Sequence, residues 1–148
     1  MTPLTMKPVD EQLAEALHLA GHGWRTALDR RLRPLGHSRS RWMALFHLSK
    51  AAGITQRELA DRLGIESPTL VRLLDRMEAD GLLSRCACES DRRIKQLRLT
   101  PDGIAEVGRI QAEAAGLRHE ILAEIDGDDL AVTLRTLQTL RNRIENLT

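Results

Sequence analysis

Apolar residues recur every three or four positions at both ends of the chain, which is the spacing of an amphipathic helix. This pattern predicts one long helix over 9–35 and another, of about 25 residues, that starts near Pro101 with Thr100 as its cap. The sequence Asp126-Gly127 breaks the second helix, and a final helix follows. We expect the final helix to pack against another helix, because its apolar stripe is regular. The stripe consists of Leu130, Leu134, Leu137, Leu140, Ile144 and Leu147.

Two shorter helices follow one another in the middle of the chain. The first is predicted over 39–51 and ends at Gly53, and the second is predicted over 55–63. Thr55 and Glu58 have the spacing of a capping box, in which each side chain bonds the other residue's free backbone N–H. These two residues therefore predict where the second of these helices starts.

A third helix and a pair of strands complete the middle of the chain. The sequence Ser67-Pro68 opens the helix, with Ser67 as its expected N-cap, and Gly81 ends it. The runs 82–87 and 95–100 are short and extended in character, and the second of them alternates apolar and polar side chains. The order helix, turn, helix and hairpin is typical of a winged helix-turn-helix.

The predicted fold is mainly α with a small β-hairpin, a winged helix-turn-helix with long dimerisation helices at both termini. We assign residues 37–103 to the winged helix-turn-helix, and residues 1–36 and 104–148 to a helical dimerisation region. The argument for a dimer is the apolar stripe of the final helix. In a monomer that stripe would form an exposed patch large enough to require a partner.

The helix that starts at Ser67 presents a polar face suited to a DNA major groove. Its apolar residues Leu70, Leu74 and Met77 fall on the opposite side. Arg72 could fork onto the edge of a guanine, while the hydroxyl groups could bond bases or phosphates. The predicted DNA-binding residues of this helix are Ser67, Pro68, Thr69, Arg72 and Arg76.

The turn between the two strands carries two neighbouring arginines, Arg92 and Arg93. They would suit a narrow minor groove, whose negative potential attracts inserted arginine side chains. Asp91 could hold one guanidinium in position, so the predicted DNA-binding set includes Asp91, Arg92 and Arg93. The competing interpretation is a solvated turn whose surface salt bridge contributes little to stability.

Composition narrows the function further. The chain has 148 residues and a formal net charge of +1, so its overall charge identifies no partner. Most of its basic residues are arginine, which bonds phosphates and guanine edges in a bidentate fashion. Only Trp24, Trp42 and Phe46 are aromatic. So few rings disfavour the recognition of single-stranded nucleic acid by base stacking.

Several classes of protein are disfavoured because their sequence motifs are missing. No apolar run reaches the length of a membrane span, and no phosphate-binding glycine loop or hydrolase motif occurs. We therefore expect a cytoplasmic protein that is not an enzyme and takes no cofactor. The alternative function is a winged helix that docks a protein instead of DNA. DNA binding is favoured if one face collects the arginines Arg72, Arg76, Arg92, Arg93 and Arg98.

The clearest family resemblance lies in the helix-turn-helix and the hairpin. The runs ELADRLGIESPTLVRLLDRMEADGLLSR and SDRRIKQLRLTPDG resemble the MarR family of bacterial transcription regulators, and WRTALDRRLRPLGHSRSRW resembles its SlyA-like branch. The resemblance extends over most of the chain. It implies a homodimer whose first and last helices interlock, with double-stranded DNA as its partner. It also implies that Arg72 reads the major groove and that Arg92 and Arg93 enter the minor groove.

The same resemblance implies a small-molecule site, because SlyA-like proteins bind salicylate-type aromatic carboxylates. The matching positions are Arg25, Ser40, Trp42 and Phe46, which would offer the ligand a cation and aromatic walls. Phe46 stands where those proteins have a histidine, so one polar contact is lost. The alternative is that Trp42 and Phe46 are core residues and that Arg25 is a solvated helix charge.

The two cysteines, Cys86 and Cys88, suggest that the protein senses redox state or binds a metal, but the residues next to them in the sequence do not favour either function. They are too close together in an extended strand to form a disulfide easily. Arg85 and Glu89 flank the pair with opposite charges, and a C-x-C pair supplies at most two metal ligands. We therefore predict no metal site.

Overall fold

The computed structural model describes residues 7–147, which are mostly helical with one two-stranded antiparallel hairpin. This arrangement confirms the predicted fold class. None of the described helices is long and apolar enough to cross a membrane. In chain order the elements are α1 (Val9–Leu32), α2 (Arg39–Lys50), α3 (Gln56–Leu63), α4 (Ser67–Ala79), β1 (Leu83–Ala87), β2 (Lys95–Leu99), α5 (Pro101–Leu122) and α6 (Gly127–Glu145).

Both long predicted helices end earlier than their apolar patterns suggest. Helix α1 stops at Leu32, and Arg33–Leu35 form a single 3-10 turn that contains Pro34. Proline has no backbone N–H and its ring crowds the preceding turn, so it does not sit well inside an α-helix. Gly36 closes the turn with a φ of 85°, which glycine adopts at little steric cost. Helix α5 ends at Leu122 and has 22 residues, which is shorter than the roughly 25 that its apolar pattern predicts.

The predicted starts of α3 and α4 have different outcomes. The capping box of α3 is confirmed, because the Glu58 N–H donates to Thr55 Oγ1 (3.2 Å) and the Thr55 N–H donates to Glu58 Oε2 (3.0 Å). The prediction that Ser67 caps α4 is wrong by one residue. The N-cap is Glu66, whose carbonyl accepts the Leu70 N–H at 3.0 Å. The first N–H groups of a helix have no intrahelical acceptor, so Pro68 is tolerated in this first turn.

The buried core lies among α2, α3, α4 and the hairpin, and it also includes Leu32 of α1 and Val107 and Ile110 of α5. Strand β2 is fastened to the segment before α3, because the Leu97 N–H donates to the Ile54 carbonyl at 2.9 Å. Strands β1 and β2 pair in a register that sets Leu83 opposite Leu99. The largest fully buried side chains are Leu32, Leu45, Leu59, Leu70, Leu74, Met77, Leu83 and Leu97.

Helix α5 starts directly against the residues that precede β1. The Gly103 N–H donates to Thr100 Oγ1 at 3.0 Å, which confirms the predicted role of Thr100 as a cap. A Cβ at position 103 would lie 1.9 Å from the Leu82 carbonyl oxygen. Only glycine permits this close approach, which sets where the helix leaves the hairpin.

The terminal helices bury far less than the middle of the chain. The chain divides into two compact units, of which the first ends at Ala114 and the second starts at Ala115. In the first unit, α1 buries only Leu32. In the second unit, no described residue of α6 is buried. The exposed large apolar side chains of the two helices are Val9, Leu13, Leu17, Leu19, Val132, Leu134, Leu137 and Ile144.

Candidate nucleic-acid interface

Helix α4 has one buried apolar side and one exposed polar side. Leu70, Leu73, Leu74 and Met77 are buried. The side chains predicted to bind DNA lie on the other side and are all exposed: Ser67, Pro68, Thr69, Arg72 and Arg76. Because Glu66 is the N-cap, the Ser67 hydroxyl makes no capping bond. The helix therefore offers hydroxyl and guanidinium groups that form no ion pair or capping bond within residues 7–147.

The acidic residues near the end of α4 are neutralised by arginines from other elements. The Arg85 guanidinium in β1 lies 2.7 Å from Asp75 and 3.0 Å from Glu78, and it also donates to the Val71 carbonyl. Arg41 in α2 pairs with Asp80 at 2.6 Å. These ion pairs hold α4 against β1 and α2. They also leave Arg72 and Arg76 without an ion pair among residues 7–147.

Sequence reasoning missed Arg41 and Arg85 as positioning residues. Their side chains are largely buried, at 19% and 16% exposed, which is low for arginine. Arg85 lies two residues after the buried Leu83 and opposite the buried Leu97, so its position indicates only that it shares their face of the hairpin. Nothing in the spacing along the chain indicates that Asp75 or Asp80 would be the partner.

The turn between β1 and β2, here called the wing tip (residues 88–94), is held by its own backbone. The Cys88 N–H donates to the Ile94 carbonyl at 2.8 Å, and the Ile94 N–H donates to the Asp91 carbonyl at 3.0 Å. The Asp91 carboxylate accepts the backbone N–H of Arg93 at 2.9 Å. The carboxylate therefore shapes the turn, and among residues 7–147 it forms no ion pair with a guanidinium. In the described chain, the Arg92 and Arg93 side chains are exposed and unpaired.

An open cleft of about 1080 Å³ joins the starts of α3 and α4 to the wing tip. Ser67 and Arg93, two predicted DNA-binding residues, both line it. Arg57 and Lys95 line it as well, and the sequence analysis did not single them out. Their charge is partly balanced by acidic residues of α3 in the same cleft. Arg72 and Arg76 lie further along α4, so the polar surface continues beyond this cleft.

The four positions predicted for a small molecule lie on α1 and α2. Arg25 is exposed and Ser40 is half-buried. The Trp42 indole N–H donates to Asp29 Oδ1 at 2.8 Å. Phe46 is 44% exposed, with the Lys50 ammonium 5.6 Å from the centre of its ring. Phe46 is therefore not a core residue, whereas Trp42 packs against the core.

Asp29 organises the polar contacts around Trp42. Its carboxylate accepts hydrogen bonds from Trp42 and from the Arg39 side chain, the latter at 2.7 Å. Burial acts to raise the pKa of Asp29, but the hydrogen bonds from Arg39 and Trp42 outweigh burial and hold this pKa below its ordinary value. Asp29 lies one helical turn after Arg25, so an ionised carboxylate stands close to the predicted anion-binding residue.

The two cysteines differ in their surroundings. Cys86 is exposed, while the Cys88 sulfur lies 3.1 Å from the Ser90 hydroxyl. The Ser90 side chain, followed by the backbone N–H groups of Ser90 and Asp91, lowers the pKa of the Cys88 thiol. Within residues 7–147, no three His, Cys, Asp or Glu side chains are grouped so as to hold a metal ion.

The fold and this surface define a winged helix-turn-helix protein of the kind found in transcription regulators. A sequence profile of the MarR family matches residues 35–94. The solved structure of the transcriptional regulator PA3341 is 41% identical, over 90% of this chain and 98% of that one, with a TM-score of 0.75. The chain belongs to the MarR family and is a transcriptional regulator.

Two other solved structures agree with this assignment. The transcriptional repressor CouR, solved with a 23-mer DNA duplex, is 31% identical over 93% of this chain and 98% of that one, with a TM-score of 0.73. Wild-type MarR from E. coli in its apo form has a TM-score of 0.80, over 91% of this chain and 97% of that one. Because its identity is 24%, that second likeness shows the fold alone.

Proposed function

We propose that this regulator binds double-stranded DNA sequence-specifically, as a homodimer on a pseudo-palindromic operator. The observation that carries the proposal is the set of unpaired guanidinium groups on α4 and the wing tip: Arg72, Arg76, Arg92 and Arg93. Arginine binds phosphates and guanine edges through its fork of N–H donors. CouR, a relative that was solved with a DNA duplex, supports the same function for this chain.

The residues of α4 and the wing tip have different proposed roles. Arg72 reads a base edge in the major groove, while Ser67, Thr69 and Arg76 bond bases or phosphates on either side of it. Pro68 holds the first turn of α4 in a fixed backbone conformation. Arg92 and Arg93 enter the minor groove from the turn that Asp91 shapes. Residues 37–103 are thus proposed as the reading part of the protein.

The proposed dimer joins the terminal helices, residues 1–36 and 104–148, of two copies. The support is the exposed apolar surface of α1 and α6, such as Leu13 at 46% and Leu134 at 57%. A monomer would leave these side chains in water, and large exposed apolar patches mark interaction sites. A two-fold dimer places two reading helices on one face of the duplex, with half-sites about 10 base pairs apart.

The DNA-binding proposal is tested by selecting genomic fragments with the purified protein and measuring affinity for them by fluorescence anisotropy. Arg72→Ala should cost about 1–3 kcal/mol on the selected operator and relax the sequence preference. Arg109→Ala is the matched control and should bind as wild type, since that exposed side chain pairs with Glu106 on α5. Equal losses on operator and unrelated DNA would show that Arg72 touches only phosphate. Failure to enrich any fragment would favour the protein-docking alternative.

We also propose that the protein belongs to the SlyA-like branch and that a small aromatic carboxylate weakens its DNA complex. Arg25 would meet the carboxylate, and Ser40, Trp42 and Phe46 would surround the ring. The exposed Arg25 and the exposed face of Phe46 support this site. The ligand must bind one arrangement of the two reading helices better than the other, since equal affinity for both shifts nothing.

Titration of the operator complex with salicylate tests this second proposal. A coupling of about 1–3 kcal/mol would lower DNA affinity roughly 5–150-fold at saturation. We expect millimolar salicylate to be needed, because Phe46 provides no hydrogen bond. Arg25→Ala should make the complex resistant. If wild type and Arg25→Ala dissociate identically, or if neither responds, the α1 and α2 residues are not the site.

A further inference from the structure

The two cysteines of the hairpin lie on the face that points away from the core. The buried Leu97 pairs with Arg85, so the alternate positions Cys86 and Cys88 project to the other face. The pairing continues one residue past β1, because the Cys88 N–H donates to the Ile94 carbonyl at 2.8 Å. The two sulfur atoms therefore belong to neighbouring positions on one face of an extended segment.

Both cysteines line an open cleft of about 610 Å³ on this face of the hairpin. Cys86 is exposed and Cys88 is half-buried, with the side-chain amide of Gln96 3.9 Å from its sulfur. Arg98 lines the same cleft from β2, is exposed, and forms no ion pair among the described residues. The cleft therefore combines two accessible thiols with one guanidinium group.

The spacing of the two thiols suits a bridging ion better than a direct bond. Same-face neighbours along a strand have Cα atoms about 6.6–6.8 Å apart, which is two rises of the strand. A disulfide draws its sulfurs to about 2.05 Å and its Cα atoms usually to about 5.5–6 Å, so it would bend this segment. An ion held in line between two thiolates, with bonds of about 2.3 Å as in zinc–thiolate sites, needs the sulfurs only about 4.6 Å apart. The geometry that disfavours a disulfide thus favours a linear bridge.

The number and type of ligands select a soft ion that needs only two of them. Thiolates prefer soft metal ions. Structural zinc takes four ligands, and within residues 7–147 no third His, Cys, Asp or Glu side chain joins the two cysteines. The sequence argument against a metal, that a C-x-C pair supplies at most two ligands, therefore applies to zinc. It does not apply to Cu(I) or Hg(II), whose filled d shells accept two thiolates in a linear arrangement.

We infer that Cys86 and Cys88 form a two-coordinate site for a soft cation of the Cu(I) or Hg(II) type. Each thiol releases its proton to solvent, and the ion bonds both sulfurs in their place. Two thiolates with Cu(I) carry one net negative charge, which Arg98 in the same cleft offsets, whereas two thiolates with Hg(II) are neutral. Because Cys88 is the first residue of the wing tip, the ion lies at the base of the segment proposed to enter the minor groove.

Protection of the thiols distinguishes a bridge from an ion on a single sulfur. The reduced full chain is mixed with one equivalent of Hg(II), treated with iodoacetamide and analysed by mass spectrometry. A bridge should protect both Cys86 and Cys88, and native mass spectrometry should find one ion per chain. The matched control combines Cys86→Ser with Ala87→Cys, which keeps two thiols but sets them on opposite faces of the hairpin. In this control one thiol should stay reactive. One equivalent of Zn(II) should protect neither thiol of wild type.

Competition with bathocuproine disulfonate under nitrogen measures the affinity for Cu(I) and separates the two ions. Cys86→Ser and Cys88→Ser should each weaken Cu(I) binding by more than about 100-fold, because loss of a ligand exceeds the 10–100-fold cost of losing a residue that only supports one. Arg98→Gln should weaken Cu(I) about tenfold and leave the protection by Hg(II) unchanged.

The inference is overturned if one equivalent of Hg(II) leaves one wild-type thiol reactive, if the opposite-face control is protected as well as wild type, or if one ion is shared by two chains. Wild-type affinity for Cu(I) in either serine variant would also overturn it. Unchanged Cu(I) binding in Arg98→Gln would contradict the part given to that guanidinium. No DNA enters these measurements, so their failure would leave the proposed DNA-binding function standing.

Discussion

The winged-helix core and the terminal helices both carry leucines at helical spacing, but the core buries them and the terminal helices leave them exposed. In α4, Leu70, Leu73 and Leu74 are all buried. In α6, Leu134 and Leu137 recur at helical spacing as well, yet both are exposed. The winged-helix region buries its leucines within one chain. Helix α6 instead carries an apolar stripe that the described residues of one chain leave exposed. Apolar periodicity therefore predicts a helix in both places, but it does not show whether the covering surface lies in the same chain.

The largest effect should come from deleting one leucine in each region. Leu74→Ala leaves a cavity in a closed core and should lower the free energy of unfolding by about 2–5 kcal/mol. Leu137→Ala should instead weaken association, because a two-fold interface loses two partly buried side chains at once. Urea denaturation at several protein concentrations separates the two effects. We expect a concentration-independent loss for Leu74→Ala and a concentration-dependent loss for Leu137→Ala. A concentration-independent loss for both would contradict the role given to α6.

A second contrast compares an arginine that the fold uses with arginines that it leaves free. Arg92→Ala or Arg93→Ala should reduce the slope of log affinity against log salt by about one, because each removes one cation from the DNA contact. The unfolding free energy should hardly change. Arg85→Ala should instead lower the free energy of unfolding, because it releases Asp75 and Glu78 and so loosens the packing of α4. Unchanged DNA affinity in both wing-tip variants would show that the wing tip is a solvated turn that does not contact DNA.

The smallest effect concerns the two cysteines of the hairpin. The hydrogen bonds from Ser90 that lower the pKa of Cys88 leave more of its thiol ionised near neutral pH. Since the thiolate is the nucleophile, Cys88 should react with iodoacetamide faster than Cys86 at pH 7. Mass spectrometry of the alkylated chain measures both sites at once. Ser90→Ala should narrow the difference, and equal rates in wild type would show that these hydrogen bonds do not persist in solution.

Local signals in the sequence predicted the elements better than the contacts between them. The capping box of Thr55 and Glu58 and the cap at Thr100 were correct, because each is decided by residues three positions apart. The start of α4 was predicted one residue too late, because Ser67 is its first residue and not its N-cap. Proline is accepted at more than one position of the first turn, so Pro68 did not fix the start. The pairing of Arg85 with Asp75 depends on how β1 packs against α4, and no spacing along the chain encodes it.

In the candidate site too, local patterns predicted the exposed residues but not the contacts that depend on packing. The exposed arginines of α4 and the wing tip could be predicted, because helical periodicity and the hairpin pattern assign them to solvent. The role of Asp91 in the turn could not be predicted, because a carboxylate next to two arginines suggests an ion pair. In the structure, the backbone N–H of Arg93 donates to this carboxylate instead. Arg57 and Lys95 join the cleft only through the packing of α3 beside β2.

Sedimentation velocity of the protein mixed with a labelled operator duplex tests most directly whether the chain reads DNA as a two-fold dimer. We predict two protomers on each duplex, no comparable complex with a scrambled duplex, and loss of this preference in Arg72→Ala. A complex with one protomer, or equal binding to the operator and the scrambled duplex, would contradict the account.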